Sequence, residues 1–389
     1  MIYLDNAATS FPKPAGCIRA MEECMVNYCG NPGRSGHNMS MKTGEKVYEA
    51  RKTVAGFLGA EDPSSVIFTL NATDALNLAI KGSLKAGDHV VTTSMEHNSV
   101  LRPLKAMEKV GVGTTVVYGN SQGQVDPEQI RSSIRPETTM VISTHGSNVT
   151  GTILPVEQIG QVVEEVRRER SGTSGTELRY VVDASQTAGG LEVNVDTIGA
   201  DLIAMPGHKG LLGPLGTGVL YIKPGIHLQT LKEGGTGTSS RDLRQPADLP
   251  ERYESGTVNA PAIIGLGSSI KVIEHLGWEK IRHHELRLIR RLEEKLRNMD
   301  QVVIYGPDHP EEKMGIVAFN VKGRDCEEIG EELNRYGIAV RAGFHCAGLA
   351  HKTIGTADTG CVRISVGPDN SLKEMDMTIE AIWRICHQS

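Results

Sequence analysis

The sequence predicts an α/β protein with a large domain built on a mainly parallel sheet and a small α+β domain at its C-terminal end. The large domain is predicted because short apolar runs alternate with segments of helical periodicity from Val66 onward, which is the order of βαβ units. The small domain is predicted because this order ends near Pro261, where a long charged helix begins. We expect the domains to span residues 13–258 and 259–389, with residues 1–12 packing on the small domain.

Length, composition and charge narrow the class of protein. The 389 residues suffice for two domains, and 39% hydrophobic residues with only 4% aromatics fit a soluble α/β protein. A net charge of −6 without a block of like charges argues against nucleic acid or an anionic membrane as the main partner. No apolar run is long enough to span a bilayer, and residues 1–5 do not resemble a signal peptide, so we expect a cytoplasmic protein.

The seven cysteines are scattered along the chain, and none of them pair as CxxC. Their odd number argues against a disulfide framework, and their spacing indicates no zinc site or other metal site. We therefore expect reduced thiols, of which one is a candidate for catalysis.

The elements of the large domain follow from periodicity and from turn residues. A short extended piece at residues 1–4 precedes helices at 16–29 and 40–58, the first of which begins near Pro14. Asn71 is placed to cap a helix that runs to about Lys85, and a further helix is expected at 156–170. Strands are predicted at 66–70, 89–94, 114–118, 139–144, 179–183, 201–205 and 219–222.

The small domain is predicted to mix strands and helices. A long helix at 262–298 has a break near Gly277, and further helices are expected at 327–336 and 372–387. Ser371 and Glu374 stand in capping-box spacing at the start of the last helix. Strands are predicted at 315–321, 337–341 and 362–366.

Four polar residues follow strands of the predicted parallel sheet, where function gathers at the carboxyl ends. His97, Asn148, Asp183 and Lys209 each have an ordinary interpretation alone, as a loop residue, two helix caps and a surface charge. Their placement along one edge favours a shared site. A buried lysine has a lowered pKa and attacks carbonyl groups as the neutral amine.

The start of the helix after Asn71 is a candidate phosphate site. Free N–H groups and the helix dipole favour an anion there, and Thr73 adds a hydroxyl, although simple capping explains the same pattern. Three features together suggest pyridoxal 5′-phosphate (PLP). They are a candidate phosphate site, a lysine that can hold the cofactor and an acid that can adjust the electronic properties of its ring. Asp183 beside the pyridine nitrogen would keep that nitrogen protonated.

Several motifs resemble the class V aminotransferase group and, within it, the cysteine desulfurases. The short-loop branch that includes Suf-type enzymes and selenocysteine lyases is the most similar. The resemblance runs from Tyr3 to Arg363 and implies the PLP-dependent transferase fold type I, with a seven-stranded sheet. The motifs are Pro206-Gly207-His208-Lys209, Val182-Asp183-Ala184-Ser185-Gln186, Met95-Glu96-His97, Ser147-Asn148-Val149-Thr150-Gly151-Thr152 and Arg341-Ala342-Gly343-Phe344-His345-Cys346-Ala347.

The resemblance also implies roles for individual residues, in a homodimer with shared active sites. Lys209 would hold PLP covalently, His97 would stack on its ring and serve in catalysis, and Cys346 would be the active cysteine. The remaining cofactor contacts would be Ala72, Thr73, Asn148, Asp183, Gln186, His208 and, from a second subunit, Thr257. The substrate contacts would be His37, Asn148, Arg341 and Arg363. Arg363 would bind the carboxylate through bidentate hydrogen bonds.

Two positions depart from the pattern of the Suf-type enzymes. Pro206 stands where those enzymes usually place a serine that contacts phosphate, and Ala72 stands where they often have a hydroxyl residue. Pro206 supplies neither a hydroxyl nor an N–H. The departure predicts weaker cofactor binding than in typical relatives, unless backbone amides compensate.

Cys346 lies in a predicted loop between two glycines, a setting that suits a nucleophile better than a structural thiol. His345 is adjacent and is a candidate helper; a zinc site at His345 and Cys346 is disfavoured because no matching ligand pair lies nearby in the sequence. The expected reaction converts L-cysteine to L-alanine and leaves a persulfide on Cys346.

Three alternatives stay open at this point. A selenocysteine or C–S lyase would release free selenide or sulfide, with Cys346 auxiliary. An aminotransferase would leave Cys346 without a task, and a scaffold protein would not need the set formed by Lys209, Asp183, His97 and Arg363. The sequence does not name the acceptor of the sulfur.

Overall fold

The computed structural model describes residues 1–33, 35–171, 177–237 and 241–387. Within these ranges the chain forms thirteen strands and twelve α-helices. The strands are β1 (Ile2–Tyr3), β2 (Val66–Thr69), β3 (His89–Thr93), β4 (Gly113–Val117), β5 (Thr138–Thr144), β6 (Arg179–Asp183), β7 (Leu202–Pro206), β8 (Gly218–Ile222), β9 (Val302–Tyr305), β10 (Ile316–Val321), β11 (Ile338–Ala339), β12 (Arg341–Gly343) and β13 (Cys361–Ser365).

The helices separate these strands in the order that the sequence pattern predicts. They are α1 (Ala15–Asn27), α2 (Asn38–Phe57), α3 (Ala72–Ser83), α4 (Asn98–Glu108), α5 (Pro127–Ser133), α6 (Val156–Arg170), α7 (Val195–Ile198), α8 (Ala260–Leu276), α9 (Trp278–Leu296), α10 (Cys326–Arg335), α11 (Gly348–Thr353) and α12 (Leu372–His387). None of the described helices is long and apolar enough to cross a membrane.

Seven strands form the large sheet in the order β2-β8-β7-β6-β5-β3-β4. All pairs are parallel except the two that involve β8, which runs antiparallel to both neighbours. The predicted seven-stranded, mainly parallel sheet is therefore confirmed. Its strands are buried on both faces, as parallel strands are: Tyr180 and Val182 belong to one apolar cluster and Val181 to another.

The small sheet has four antiparallel strands in the order β12-β13-β10-β9. The N-terminal strand β1 pairs in parallel with β11, and Asp5 forms a bridge with Ser365 of β13. Ile2 and Leu4 belong to the apolar cluster of this sheet.

Helix α8 contacts α1 and α2, and its buried residues belong to the core of the large sheet. Gly277, with φ of +84°, separates α8 from α9 at the predicted break. The division of the chain at residues 258 and 259 stays a prediction.

Several elements differ from expectation. The predicted strand at 337–341 is divided into β11 and β12, which join different sheets. Strand β9 and helices α4, α5, α7 and α11 were not predicted. Pro103 lies inside α4, and an internal proline obscures a helical pattern because it lacks the N–H of the helix ladder.

Candidate active site

The carboxyl ends of the parallel strands meet at a cavity of about 230 Å³. Nearly all of the predicted site residues line it, although they are far apart in the sequence. The predicted residues in its wall are Ala72, Thr73, His97, Asn148, Asp183, Gln186, His208, Lys209, Arg341 and Arg363, with His345 and Pro206 beside them. Three predicted residues, His37, Thr257 and Cys346, are exposed and outside this wall.

Lys209 follows β7 in a tight turn, where its carbonyl accepts a hydrogen bond from Leu212 N at 2.8 Å. Burial of the ammonium lowers the Lys209 pKa from 10.5 to about 8, an effect that Asp183 opposes and that Arg363 and Arg341 reinforce. The side chain has no hydrogen-bond partner among the described residues. A larger neutral fraction near pH 7 makes this amine a better nucleophile and base than an ordinary lysine.

Asp183 ends β6 and is 2% exposed. Its Oδ1 accepts hydrogen bonds from the backbone N–H of Ser185 at 3.0 Å and from the Ser185 hydroxyl. Within the part of the chain that the structure describes, Oδ2 has no hydrogen-bond partner. The carboxylate is thus held in one orientation and keeps an acceptor for a ligand N–H.

His97 caps α4 and is joined to the start of α3 by a chain of hydrogen bonds. Its Nδ1 accepts the Ser99 backbone N–H at 3.0 Å and lies 2.8 Å from the Ser99 hydroxyl. That hydroxyl lies 2.8 Å from the hydroxyl of Thr73. Because a backbone N–H can only donate, Nδ1 is unprotonated, which leaves the ring proton on Nε2. Burial lowers the His97 pKa to about 4, so the ring is neutral at pH 7.

The corner at the start of α3 suits an anion. Asn71 caps this helix through Asp74 N at 2.9 Å, which leaves the N–H groups of Ala72 and Thr73 at the helix end. A side chain on Gly218 of β8 would collide with the Asn71 backbone, so only glycine lets β8 approach this corner. His208 also lines the cavity, and its Nδ1 is buried without a partner in the described residues.

Arg363 on β13 is 1% exposed and already holds two partners. Its Nη2 donates to Asp5 Oδ1 at 2.7 Å, and its Nη1 donates to the Asn148 carbonyl at 2.8 Å. Arg363 Nε is buried without a partner among the described residues. The guanidinium is therefore fixed in place, and each terminal nitrogen retains a second hydrogen for a ligand carboxylate.

Cys346 lies beside the cavity in a loop with unusual backbone geometry. His345 and Cys346 have φ of +50° and +56°, a left-handed conformation that non-glycine residues rarely adopt. The His345 carbonyl accepts Asn148 Nδ2 at 2.6 Å, and the Cys346 carbonyl accepts Asn98 N at 2.8 Å. The exposed Sγ lies 4.0 Å from Arg341 Nη2. Residues that follow strands β3 and β5 of the large sheet thus hold the loop that presents this thiol.

Glu96 and Ser99 have structural roles that sequence reasoning missed. Glu96 is fully buried next to Asp183, and its Oε1 accepts the Thr93 hydroxyl at 2.6 Å and Thr144 N at 2.9 Å. Burial raises the Glu96 pKa to about 8, so this carboxyl is mostly neutral at pH 7. The only signal for Glu96 was its place in the Met95-Glu96-His97 motif.

The model of the family "Aminotransferase class-V" matches residues 2–377. The chain belongs to the class V aminotransferase family. A probable cysteine desulfurase of Methanothermobacter thermautotrophicus is 36% identical over 392 residues, covering 99% of this chain and 94% of that protein. A cysteine desulfurase of Haloferax volcanii is 31% identical over 393 residues, covering 98% and 88%.

Solved structures of this family agree with the fold. The apo structure of a cysteine desulfurase from Thermococcus onnurineus NA1 has a TM-score of 0.91 at 34% identity, covering 99% of this chain and 94% of that one. The cysteine desulfurase CsdA of Escherichia coli, in an S-sulfonic acid form, has a TM-score of 0.86 at 25% identity, covering 98% and 94%. The predicted family and fold type I are confirmed.

Membership of this family implies dependence on PLP, and the cavity meets the requirements of that cofactor. It provides an amine without a partner on Lys209, a free acceptor oxygen on Asp183 and a helix end with adjacent hydroxyl. The orphaned Nδ1 of His208 is explained by an anionic ligand at the same corner. The donor set therefore fits a phosphate-bearing pyridine aldehyde.

Proposed function

We propose that the chain is a PLP-dependent cysteine desulfurase that converts L-cysteine to L-alanine and carries the released sulfur as a persulfide on Cys346. The names of its relatives support this activity. The observation that carries the proposal is the exposed Cys346 thiol, held in a left-handed loop beside the cavity that contains Lys209. Neither transamination nor simple lyase chemistry needs such a thiol.

The residues that would hold the cofactor follow from the cavity. Lys209 would bind it covalently, Asp183 Oδ2 would accept the pyridine N–H, and Gln186 and Asn148 would contact the ring. His97 would lie against the ring, while Ala72, Thr73 and His208 would contact the phosphate. PLP, when bound, supplies an electron sink that stabilises negative charge at the substrate Cα.

Arg363 and Lys209 prepare the substrate. The two free N–H groups of the Arg363 fork would bind the carboxylate of L-cysteine, with Arg341 at the same side of the cavity. Lys209 Nζ, once the amine of L-cysteine has replaced it on the cofactor, would then take the proton from Cα, for which its lowered pKa suits it near neutral pH. His97, with its proton on Nε2, would donate to and take back protons within the cavity.

Cys346 performs the step that defines the reaction. Its thiolate Sγ attacks the sulfur of L-cysteine, so that an S–S bond forms as the substrate Cβ–S bond breaks. The bonding electrons pass to the three-carbon fragment, which takes up protons and leaves as alanine. The enzyme retains the persulfide, and no external oxidant or reductant is needed.

A homodimer with shared sites is part of the proposal. Thr257 and His37 are exposed, and Thr257 Oγ1 accepts a hydrogen bond from Asn31 at 3.4 Å. Apolar side chains at the end of α1 and the start of α2 are also exposed: Met25 59%, Val26 74%, Met39 49% and Met41 55%. An apolar surface beside residues assigned to a second subunit's site suits an interface between two copies. The sulfur acceptor stays unassigned.

The experiment compares the wild type with Cys346→Ala, using L-cysteine and L-selenocysteine as substrates. We expect the variant to bind the cofactor normally but to lose alanine release from L-cysteine by more than a hundredfold. Cys386→Ala, which removes a partly buried thiol of α12, serves as the matched control and should be unaffected. Unchanged alanine release from L-cysteine by Cys346→Ala would contradict the assignment. Wild-type activity confined to L-selenocysteine would favour the lyase alternative.

A further inference from the structure

Three metal-binding side chains converge beneath the Cys346 loop. They are His345 before α11, His351 within α11 and Cys361 at the start of β13, and all three are buried. His345 Nδ1 lies 3.4 Å from His351 Nε2 and 4.0 Å from Cys361 Sγ. The three ligand atoms all lie within 4.8 Å of one another. The sequence analysis expected no metal here because these residues are separated along the chain.

The outer nitrogens of both rings have partners of the kind that orient metal ligands. His345 Nε2 lies 3.4 Å from the Arg341 carbonyl, which can only accept, so this contact places the ring hydrogen on Nε2. His351 Nδ1 lies 2.7 Å from the Thr356 hydroxyl, whose own hydrogen can be donated to the His351 carbonyl at 3.5 Å. When both ring hydrogens lie on these outer nitrogens, His345 Nδ1, His351 Nε2 and the buried Cys361 thiol are free to bind one metal ion.

The spacing of the ligand atoms suits a shared metal ion. Around a tetrahedral Zn²⁺ ion with bonds of about 2.0–2.1 Å to nitrogen and about 2.3 Å to sulfur, two nitrogens lie about 3.4 Å apart and a nitrogen and a sulfur about 3.6 Å apart. The 3.4 Å between the two ring nitrogens matches the first value. The 4.0 Å between His345 Nδ1 and Cys361 Sγ exceeds the second by about 0.4 Å.

We propose that His345, His351 and Cys361 bind one Zn²⁺ ion, with a water molecule as the fourth ligand. Two imidazoles and a thiolate are ligand types that zinc prefers. On binding, the Cys361 thiol loses its proton to solvent, and the thiolate offsets part of the repulsion from Arg341 and Arg363 nearby. The ion would fix the ring of His345, the residue before Cys346, and so stabilise the left-handed backbone that presents the catalytic thiol.

The test measures zinc directly, so its outcome does not depend on the proposed desulfurase activity. The full-length protein is incubated with ZnSO₄, desalted and measured for zinc content and for zinc X-ray absorption. We expect one equivalent per chain, with one sulfur at about 2.3 Å and two nitrogens at about 2.0 Å in the first coordination shell. Less than a tenth of an equivalent in the wild type, or a shell without sulfur, would overturn the proposal.

Variants locate the ion. Cys361→Ser and His351→Gln are expected to lower the zinc content at least tenfold. Cys326→Ser is the matched control, because Cys326 is a buried thiol that donates to the Thr359 carbonyl at 3.1 Å and does not belong to the cluster. Cys346→Ser should also retain zinc although it loses desulfuration. Loss of zinc from Cys346→Ser, or full retention by Cys361→Ser, would show that the ion is bound elsewhere.

Discussion

Lys209 shows how its surroundings set the chemistry of one residue. Burial and two arginines lower its pKa, while Asp183 keeps it from falling further. The place of Lys209 after a strand, beside His97, Asn148 and Asp183, favoured a shared site, but the size of the pKa shift depends on neighbours from β6, β12 and β13. Those neighbours are brought together only by the fold.

The pH dependence of cofactor capture follows from this lowered pKa. Only the neutral amine attacks, so the rate at which the apo-protein captures PLP should rise about tenfold per pH unit and level off near pH 8. With an ordinary lysine the capture rate would keep rising up to about pH 10.5. The rate is measured from cofactor absorbance after rapid mixing. Asp183→Asn removes the charge that raises the pKa and should move the plateau to lower pH; a plateau near pH 10.5 in the wild type would refute this account.

The residues that sequence reasoning missed act through contacts rather than motifs. Ser99 is an ordinary residue in the sequence, and its significance lies in two 2.8 Å contacts that join His97 to Thr73. Asn98 contributes only its backbone N–H, which any residue except proline would supply. Such roles depend on distances, so no local pattern reveals them.

At the scale of elements, the end of β7 carries the departure from the usual phosphate contacts. Pro206 pairs with Gly218 and lines the cavity, as expected for a residue near phosphate. It offers neither hydroxyl nor N–H, while the helix end at Ala72 and Thr73 offers backbone amides. Which of these two features dominates the affinity for the cofactor phosphate stays a prediction.

Pro206→Ser is expected to tighten cofactor binding. A new hydrogen bond to a charged phosphate stabilises the complex by about 1.5–3 kcal/mol, which lowers the PLP dissociation constant roughly tenfold or more. The constant is obtained by titrating apo-protein and following absorbance. Pro206→Ala restores the N–H without the hydroxyl and separates their effects. Binding by Pro206→Ser that is no tighter than in the wild type would disprove the prediction.

A buried ion pair is among the contacts that join the N-terminal segment to the small sheet. Asp5 binds Arg363, which is 1% exposed, so loss of the carboxylate leaves a buried guanidinium with only the Asn148 carbonyl. Asp5→Ala should lower the free energy of unfolding by about 2 kcal/mol, measured in urea on the apo-protein. Glu331→Ala removes a fully exposed pair with Arg335 at 3.9 Å and should cost less than about 0.5 kcal/mol. Equal effects would contradict this role for Asp5.

The strands and helices were predicted correctly where the local sequence pattern agrees with the packing of the fold. The strands of the large sheet were recognisable because each is a short apolar run between turn residues, and Gly277 marked the break between α8 and α9. The division of residues 337–341 into β11 and β12 was not recognisable, because β11 pairs with the distant β1. Pairing with a remote strand leaves no trace in local periodicity.

At the scale of the whole molecule, we propose that a second copy of the chain completes the site. We expect the protein to sediment at twice its chain mass of 42.0 kDa. Met41→Glu and Val26→Glu, which place charges in the exposed apolar surface, should produce monomers that bind PLP more weakly because Thr257 of the partner subunit is lost. Leu276→Glu, on the exposed side of α8, is the control. A wild type that sediments as a monomer would refute the shared site.

The large-scale features were the most predictable from the sequence, and the site was predictable mainly through resemblance. The parallel sheet placed His97, Asn148, Asp183 and Lys209 at one edge, as the rule for α/β sheets requires. The convergence of His345, His351 and Cys361 was not predictable, because a loop, a helix and a strand of the small sheet must pack first. The roles assigned to single residues stay predictions.

The central claim is that Cys346 receives the sulfur. Its most direct test is to incubate the cofactor-loaded protein with L-cysteine, alkylate it, digest it and locate the added sulfur by peptide mass spectrometry. We predict one extra sulfur on the peptide that contains Cys346 and none on peptides that contain the other six cysteines. Extra sulfur on a different cysteine, or alanine release without any sulfur on Cys346, would contradict the account.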